Sequence, residues 1–333
     1  MSAQRVAVLA GGRSSEHEVS LASGASVAEG LRTAGHAVTE IEIGRDGAWR
    51  HGGEPVTVAL GRALPDIDVV FPVLHGPFGE DGTVQGLLEC LDMPYVGAGV
   101  LASALCMNKV LFKQLMAELG LPQVDYRAID QLDYEADPAE VARAVGQLGY
   151  PVFVKPARLG SSVGIAKVAA PDDLHSALRT AFEHDSLVIA EAFAAGREIE
   201  CSVLGNGNPI ASEPGEILLA AGEGGWYDYE AKYTAGGMEL VVPARVEPAV
   251  HDRVQELAVE AFAKAGCQGL ARVDFFVVGS EVLVNELNTM PGFTETSVYG
   301  SLFAASGIPY PELLDRLVSL ALERYAAESA HRH

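Results

Sequence analysis

Short apolar runs alternate with longer amphipathic segments through the first part of the chain, up to about residue 98. Residues 5–10 and 68–74 have the length and composition of buried strands, and each run ends close to a glycine. Helices are predicted after both strands, one opening in a capping-box pattern at residues 15–18 and the other spanning 83–91. This alternation predicts a parallel sheet of the α/β class, with ligands bound at the carboxyl ends of its strands.

Two polar residues stand just past the ends of these predicted strands. Glu16 follows the first strand, and His75 follows the second and precedes a glycine. At that edge of a parallel sheet both side chains are candidate ligand-binding groups. Each has an alternative: Glu16 could serve the helix dipole as a first-turn carboxylate, and His75 could be a capped loop histidine. The pattern alone leaves these alternatives open.

The middle part of the chain, from about 99 to 194, contains a strand that carries a lysine and leads into a small glycine-serine loop. The strand is predicted over residues 151–156 and carries Lys155, the loop over 160–164, and a further strand over 165–168. Such a loop can close over phosphates and offer N–H groups and hydroxyls, while the lysine adds a compact positive charge. Alternatively, the loop is only a turn. Two other elements are predicted here: a helix over 103–119 and a strand over 187–191.

Near the C-terminal end, two predicted strands over 271–278 and 282–288 carry a dense group of polar side chains. They alternate with apolar residues in both strands: Arg272 and Asp274 in the first, Glu286 and Asn288 in the second. Because side chains alternate between faces, each pair lies on one face of its own strand. Oxygen ligands of this hardness suit Mg²⁺, which usually binds one or two carboxylates together with substrate phosphates. The alternative is a surface hairpin with charge pairs.

The length of the turn between these strands decides whether the two polar faces coincide. A three-residue loop over 279–281 would set the polar side chains in two facing pairs: Asp274 with Glu286 and Arg272 with Asn288. A two-residue loop would turn one set away. Gly279 permits the three-residue form, which also pairs apolar residues: Phe276 with Val284 and Val278 with Val282.

A glycine-rich and aromatic stretch precedes this hairpin. Five glycines and several aromatic and charged residues fall within 222–237, a composition that is unlike a core segment. We expect this stretch to be a mobile lid that orders over a ligand. An amphipathic helix is predicted over 310–326 near the end of the chain.

Composition limits the class of protein. The chain of 333 residues is long enough for two or three domains, and 49% hydrophobic with 20% charged residues is ordinary for a globular enzyme. A formal net charge of −22 disfavours nucleic acid and membrane lipid as partners, so an anionic substrate would need a local basic site. Scattered cysteines and the lack of a leader or spanning segment predict a cytoplasmic protein with reduced thiols.

Two common nucleotide-binding motifs do not explain the pattern. The P-loop motif GxxxxGK[ST] is absent from the sequence. The segment Gly97-Ala-Gly99-Val-Leu-Ala102 matches the looser dinucleotide fingerprint, but the acidic residue about twenty positions later, Glu118, falls inside a predicted helix. We interpret this segment as a turn that joins two domains.

Taken together, these motifs resemble those of the D-alanine–D-alanine ligase family within the ATP-grasp superfamily. The resemblance extends from about residue 5 to 325 and rests on motifs in this order: Gly11-Gly12, Ser15-Glu16-x-Glu18, Leu74-His75-Gly76, Gly79-Glu-Asp-Gly82, Lys155 before loop 160–164, Glu191, Tyr229-Glu-Ala-Lys-Tyr233, Arg272-x-Asp274, and Glu286-x-Asn288-Thr-x-Pro-Gly292. It implies an α/β fold of three domains: an N-terminal parallel-sheet domain of residues 1–98 and two ATP-grasp subdomains, 99–194 and 195–333.

The family resemblance also implies an activity. Such ligases join two D-alanines for peptidoglycan precursors, with ATP cleaved to ADP and phosphate through an acyl phosphate. It implies two Mg²⁺ ions, which Mn²⁺ can replace, allows a monovalent cation, and implies a homodimer. Three rival interpretations stay open: a ligase that forms D-alanyl-D-lactate, a different ATP-grasp ligase, and a catalytically silent nucleotide sensor.

The resemblance assigns roles to individual residues. The residues implied for the ATP phosphates are Lys109, Lys155, Lys232, Ser161 and Ser162. Those implied for the adenine are Glu191, Ala192 and Phe193, and Glu198 is implied for the ribose, with Asn285 and Glu286 nearby. Ala192 stands where some members carry a lysine, so a backbone contact is expected there. The metal ligands are Asp274, Glu286 and Asn288, with Glu286 bridging the ions. The first D-alanine is assigned to Glu16, in a group with Ser161 and Tyr233, and to His75 beside it. The oxyanion is assigned to Arg272 and the Gly292 N–H, and the carboxylate of the second D-alanine to Ser297.

Overall fold

The structure is a computed structural model and describes residues 3–59, 64, 66–160, 163–219 and 238–331. Within these residues the chain forms three β-sheets with helices packed against them. The predicted lid, 222–237, lies outside the described residues, and so do four predicted site residues: Ser161, Ser162, Lys232 and Tyr233.

The first sheet has five strands: β1 (Arg5–Gly11), β2 (Ala37–Ile43), β3 (Trp49–His51), β4 (Glu54–Pro55) and β5 (Val69–Pro72). Their order is β4-β3-β2-β1-β5. The parallel sheet that the sequence predicted is confirmed for three of these strands, since β1 pairs in parallel with both β2 and β5. The sequence pattern did not predict β3 and β4, which extend the sheet as antiparallel strands.

The first sheet is buried on both faces at strands β1 and β5. Side chains of β1 point alternately into two cores, because successive residues of a strand face opposite sides. Helix α1 (His17–Thr33) and the C-terminal helix (Tyr310–Ser329) cover one face, and α2 (Thr83–Cys90) contributes to the other. A parallel sheet covered in this way leaves the loops at its strand ends as the accessible edge.

The helix predicted over 103–119 is in fact two helices. α3 (Val100–Met107) and α4 (Lys109–Glu118) meet at Asn108 with a bend of 100°. Asn108 has extended backbone angles, and its side-chain oxygen accepts a hydrogen bond of 3.2 Å from a backbone N–H in the first turn of α4. Asn108 therefore caps a new helix and does not continue the old one. The break places Lys109 at the first position of α4.

The middle sheet has four antiparallel strands in the order β6-β9-β7-β8. Its elements run in this order: β6 (Tyr126–Asp130), α5 (Gln131–Ala136), α6 (Pro138–Gly146), β7 (Val152–Pro156), β8 (Ala166–Val168), α7 (Leu174–Phe182) and β9 (Leu187–Ala192). The three strands predicted here are confirmed. Val152 and Val154 of β7 face the core beneath α7. Phe153 and Lys155 therefore lie on the opposite face. Glu191 of β9 pairs with Phe153 across the sheet, so it shares that face with Lys155.

The third sheet has six strands, five of them in the order β13-β12-β10-β14-β15, with β11 paired to β10. The elements are β10 (Arg197–Gly205), β11 (Ile210–Ala211), β12 (Gly215–Leu219), β13 (Met238–Val241), α8 (Pro248–Lys264), β14 (Gly269–Val278), β15 (Glu281–Asn288), α9 (Val298–Ala305) and α10 (Tyr310–Ser329). α8 packs on β10, β14 and β15 and closes the core beneath them. Among the described helices none is by itself long and apolar enough to cross a membrane, although the bent pair of α3 and α4 passes that test together.

Candidate active site

A cavity of about 760 Å³ is lined by residues from all three sheets and from the loops between them. Nearly all predicted site residues in the described part of the chain line it: Glu16, His75, Lys109, Lys155, Ala192, Phe193, Glu198, Arg272, Asp274, Asn285, Glu286, Asn288, Gly292 and Ser297. Glu191 is the exception, because it is buried beside the cavity. Residues that are up to 281 positions apart in the sequence are thus brought around one space.

The hairpin of β14 and β15 has the facing pairs that the sequence predicted. Asp274 lies opposite Glu286, and Arg272 lies opposite Asn288. These two pairs are two residues apart on each strand, so all four side chains share one face of the sheet. That face is the wall of the cavity.

The turn of this hairpin differs from the expectation. It is the two-residue form at positions 279–280, which by itself would have turned one polar set away. A β-bulge between Asp274 and Phe275 corrects the register, because Asn285 is an extra residue on β15. The predicted apolar pairs are therefore wrong: Phe276 faces Leu283, and Val278 faces Glu281.

Two carboxylates hold Arg272. Its Nε and Nη2 atoms donate hydrogen bonds of 2.7 Å to the two carboxylate oxygens of Asp274, and Glu200 Oε2 lies 2.9 Å from the same Nε. Asn288 Nδ2 also donates to Asp274, at 3.0 Å. This bidentate geometry fixes the plane of the guanidinium. Glu200 was not predicted as a site residue, although its position two residues after Glu198 on the same strand face was a signal.

Lys109 reaches the acidic hairpin from the first turn of α4. Its Nζ lies 3.6 Å from Glu286 Oε2 and donates a hydrogen bond of 2.8 Å to the carbonyl of Leu159. Leu159 directly precedes the glycine-serine loop. The ammonium is therefore placed between that loop and the acidic hairpin, where it can attract a phosphate.

Glu191 is shared by two lysines. Lys155 Nζ donates a hydrogen bond of 2.5 Å to Glu191 Oε2, and Lys113 Nζ lies 3.3 Å from Glu191 Oε1. Burial acts to raise the pKa of Glu191, but the two lysines outweigh it and lower the pKa to about 2. The carboxylate is therefore ionised at neutral pH. Lys113 was not predicted as a site residue, although its position one helical turn after Lys109 was a signal.

Glu16 occupies the N-cap position of α1 but does not cap it. Since α1 begins at His17 with Glu16, and not Ser15, at its N-cap and has no side-chain cap hydrogen bond, the predicted capping box at residues 15–18 is wrong. Its Oε2 atom would lie 2.5 Å from a Cβ built on Gly76 and 3.3 Å from one built on Gly160. Glycine is required at position 76 because its φ is +71° and because a Cβ there would clash with the Glu16 carboxylate. Glu16 therefore lies between the loop after β5 and the glycine-serine loop.

His75 joins the loop after β5 to the loop after β15. Its Nδ1 lies 2.9 Å from the carbonyl oxygen of Met290, and its Nε2 lies 3.1 Å from the hydroxyl of Ser23. A carbonyl can only accept, so Nδ1 carries the proton and Nε2 accepts from the serine. Burial lowers the pKa of His75, with Glu16 acting in the opposite direction. The ring is therefore neutral and held in one orientation at the cavity wall.

Glu80 completes this contact between the two loops. Its carboxylate accepts hydrogen bonds from the backbone N–H of Gly76 at 2.7 Å and of Met290 at 3.2 Å. Burial, and then the charge of Glu16, raise the pKa of Glu80 to about 8. Glu80 lies within the motif 79–82, which supported the family resemblance but had no residue role assigned to it.

One wall of the cavity suits a flat ring system. The ring centroids of Phe193 and Phe153 are 6.0 Å apart, and Lys167 Nζ lies 4.6 Å from the centroid of the Phe193 ring. Ala192 and Glu198 lie on either side of Phe193 in the sequence and line the same cavity. An apolar aromatic surface with a nearby carboxylate can hold a base and hydrogen-bond its sugar hydroxyls.

The loop after β15 brings Gly292 close to Ser297. A Cβ on Gly292 would lie 3.4 Å from Ser297 Oγ, which accepts a hydrogen bond of 3.0 Å from the backbone N–H of Thr294. Ser297 is also the N-cap residue of α9. A hydroxyl and a helix N-terminus at this end of the cavity favour a negatively charged group.

Comparison with known proteins gives consistent results along the chain. A family model described as D-ala D-ala ligase C-terminus matches residues 115–319, and one described as D-ala D-ala ligase N-terminus matches residues 5–60 and 51–98. The D-alanine--D-alanine ligase of Deinococcus radiodurans is 46% identical over 339 residues, covering 96% of this chain and 99% of that protein. The enzyme of the same name from Halothermothrix orenii is 44% identical, covering 97% and 99%.

Two solved structures resemble the whole chain. The D-alanine-D-alanine ligase from Coxiella burnetii has a TM-score of 0.89 and 36% identity, covering 99% of this chain and 97% of its own. The VanG D-Ala:D-Ser ligase from Enterococcus faecalis has a TM-score of 0.86 and 36% identity, covering 96% and 100%. These matches confirm the α/β ATP-grasp fold with an N-terminal domain. The chain belongs to the D-alanine–D-alanine ligase family.

Proposed function

We propose that this protein uses ATP to join two D-alanine molecules into D-alanyl-D-alanine for peptidoglycan precursors. The observation that carries the proposal is the single cavity that brings the lysines and the acidic hairpin together with Glu16. Family membership supports it, since the two curated relatives at 46% and 44% identity are both named D-alanine--D-alanine ligase.

The chemistry needs an activated carboxylate. An amine does not displace oxygen from a free carboxylate, so the γ-phosphoryl group of ATP is first transferred to the carboxylate of one D-alanine. The amine of the second D-alanine then attacks the acyl phosphate, the new amide bond forms, and phosphate leaves. Phosphoryl transfer of this kind depends on positioning and charge neutralisation more than on covalent help from the protein.

ATP is proposed to lie between the middle and last domains, residues 99–194 and 195–333. Its phosphates would contact Lys109 and Lys155 from the described part, with Lys232, Ser161 and Ser162 from outside it. The adenine would lie against Phe193 and the backbone of residues 191–193, with the ribose near Glu198 and Asn285 near the phosphates. What supports this arrangement is the basic patch beside an aromatic wall in one cavity.

The hairpin residues fit a magnesium site. Among the described residues no group of three or more His, Cys, Asp or Glu could hold a metal, but Mg²⁺ needs only one or two carboxylates when substrate phosphates complete its shell. Asp274, Glu286 and Asn288 provide two carboxylates and an amide on one face. We propose that they hold two ions, with Glu286 bridging, and that Mn²⁺ can replace Mg²⁺. The ions would supply charge neutralisation at the transferred phosphoryl group.

The D-alanine contacts are proposed around the same space. Glu16 would hold the ammonium of the first D-alanine, in a group with Ser161 and Tyr233, and His75 would lie beside that substrate. The oxyanion formed during attack would be stabilised by Arg272 and the backbone N–H of Gly292, and Ser297 would bind the carboxylate of the second D-alanine.

The acceptor is proposed to be a D-amino acid, specifically D-alanine. A D-alanyl-D-lactate ligase is the alternative from sequence, and a D-serine acceptor is suggested by the name of the VanG structure. The greater identity to the curated D-alanine--D-alanine ligases favours D-alanine. We expect ATP-dependent phosphate release with D-alanine but not with L-alanine, together with a dipeptide product in mass spectrometry. Preferred use of D-serine or D-lactate would contradict the acceptor, and phosphate release without any amino acid would contradict the ligase activity.

A homodimer in the cytoplasm, where ATP is supplied, is proposed as the working form. Val100 and Leu101 at the start of α3 are apolar yet 40% and 79% exposed, which favours a protein contact at this end of the helix. Light scattering should give twice the chain mass of 35.0 kDa. Leu101→Asp should reduce that mass to the monomer value, and a monomer in the unmodified protein would contradict the proposal.

A further inference from the structure

Lys113 is a charged side chain that the proposed chemistry does not use. It lies on α4, one helical turn after Lys109, and its side chain is 1% exposed. An ammonium this deeply buried is costly unless an opposite charge compensates it. Its ion-pair partner is Glu191, at 3.3 Å.

Glu191 links Lys113 to the cavity. Lys113 contacts one oxygen of this carboxylate, and Lys155 contacts the other at 2.5 Å. The side chain of Glu191 is 3% exposed, whereas that of Lys155 is 11% exposed and lines the cavity. The three residues therefore form a row from the protein interior to the cavity, in which one negative charge is shared by two positive charges.

The pKa values of the two lysines are shifted in opposite directions. Burial lowers the pKa of Lys113 and the charge of Lys155 adds to this effect, while Glu191 and, more weakly, Glu286 oppose it. Burial also acts to lower the pKa of Lys155, but Glu191, Glu286 and Glu198 outweigh it and raise that pKa. The ring of Tyr126 lies 5.8 Å from the Lys113 ammonium and adds no formal charge.

We propose that Lys113 is a positioning residue for the nucleotide: by taking one oxygen of Glu191, it keeps Lys155 only partly neutralised and available to an ATP phosphate. Without Lys113, Glu191 and Lys155 would form a closed neutral pair. A phosphate would then compete with a full carboxylate for the same ammonium. This inference rests on the proposed use of Lys155 in ATP binding.

The test is Lys113→Met, which keeps the length of the side chain and removes its charge. We expect the dissociation constant of β,γ-imido-ATP with Mg²⁺, measured by calorimetry, to rise at least about tenfold. The KM for ATP should rise in parallel, while kcat and the KM for D-alanine change by less than about threefold. Lys264→Met, at an exposed position on α8, is the matched control and should leave these values unchanged.

A second variant separates positioning from a merely structural role. In Lys113→Met/Glu191→Gln, the neutral amide no longer closes on Lys155, so nucleotide affinity should recover relative to Lys113→Met. This double variant removes both buried partners together, so it also serves if the single variant fails to fold. Recovery supports the proposal. A further loss of affinity, or a Lys113→Met protein with lowered thermal stability but unchanged affinity, would overturn it.

Failure of the function proposed above would be recognised separately. If the unmodified protein bound the ATP analogue but released no phosphate with D-alanine, the ligase activity would be contradicted, and the affinity comparison between the variants would stand on its own.

Discussion

Replacing Glu286 by glutamine should reduce D-alanine-dependent phosphate release by more than about 100-fold. Outer partners of metal ligands already cost about 10- to 100-fold, so a proposed bridging ligand should exceed that range. The structure supports this expectation because Glu286 faces Asp274 across the hairpin and lies 3.6 Å from the Lys109 ammonium. Removing its charge would weaken the attraction for both proposed ions at once.

The control for this prediction is on the same strand. Glu281→Gln makes the same chemical change at the exposed first residue of β15, opposite Val278, and should leave activity unchanged. Both variants should have the circular dichroism spectrum and thermal midpoint of the unmodified protein to within a few degrees. Partial recovery of Glu286→Gln at high Mg²⁺ would agree with a weakened site. Near-normal turnover at ordinary Mg²⁺ would show that the metal assignment is wrong.

In the hairpin of β14 and β15, the pairing near the site could be predicted from the sequence, but the turn and the bulge could not. Alternation of side chains was enough to predict that Asp274 faces Glu286, and the structure confirms it. The reason given for that pairing, a three-residue turn, was wrong. A two-residue turn and a bulge at Asn285 produce the same pairing near the site and a different one near the turn. A bulge shifts the register by one residue and leaves no separate mark in the hydrophobic pattern.

The predictions at two helix starts were wrong for different reasons. A serine followed three residues later by glutamate predicted a capping box at residues 15–18, yet α1 begins at His17 and Glu16 extends into the cavity. Asn108 was placed inside a continuous helix, where an asparagine can fit, but it caps α4 instead. At residues 15–18 the fold outweighs the local capping preference, whereas at Asn108 the chain follows the preference of asparagine for the N-cap position, which the prediction overlooked.

The residues that sequence reasoning missed owe their roles to long-range contacts. Glu80, Lys113 and Glu200 each contact a predicted site residue or its loop from another element: Glu80 reaches Met290, Lys113 reaches Glu191, and Glu200 reaches Arg272. Spacing along α4 and along β10 placed two of them on the correct face, but only the fold supplies their partners.

Arg272→Lys should lower kcat for dipeptide formation by about 10²- to 10³-fold, the range for loss of one oxyanion donor. Lysine keeps the positive charge but cannot reproduce the planar fork that Asp274 and Glu200 hold in place. Because the arginine is proposed to act when the oxyanion forms, the KM for ATP should change much less than kcat. Steady-state kinetics with ATP and D-alanine varied separately measures both values.

Glu200 provides the check on this interpretation. If Glu200 acts by orienting the guanidinium, Glu200→Gln should lower kcat in the unmodified protein but have little further effect in the Arg272→Lys variant. Independent effects that multiply would mean that Glu200 contributes by another route. A rise in the KM for ATP with unchanged kcat in Arg272→Lys would place the arginine on the bound nucleotide, and the oxyanion would then depend on the Gly292 N–H. The direction of the KM and kcat changes therefore decides which charge Arg272 stabilises.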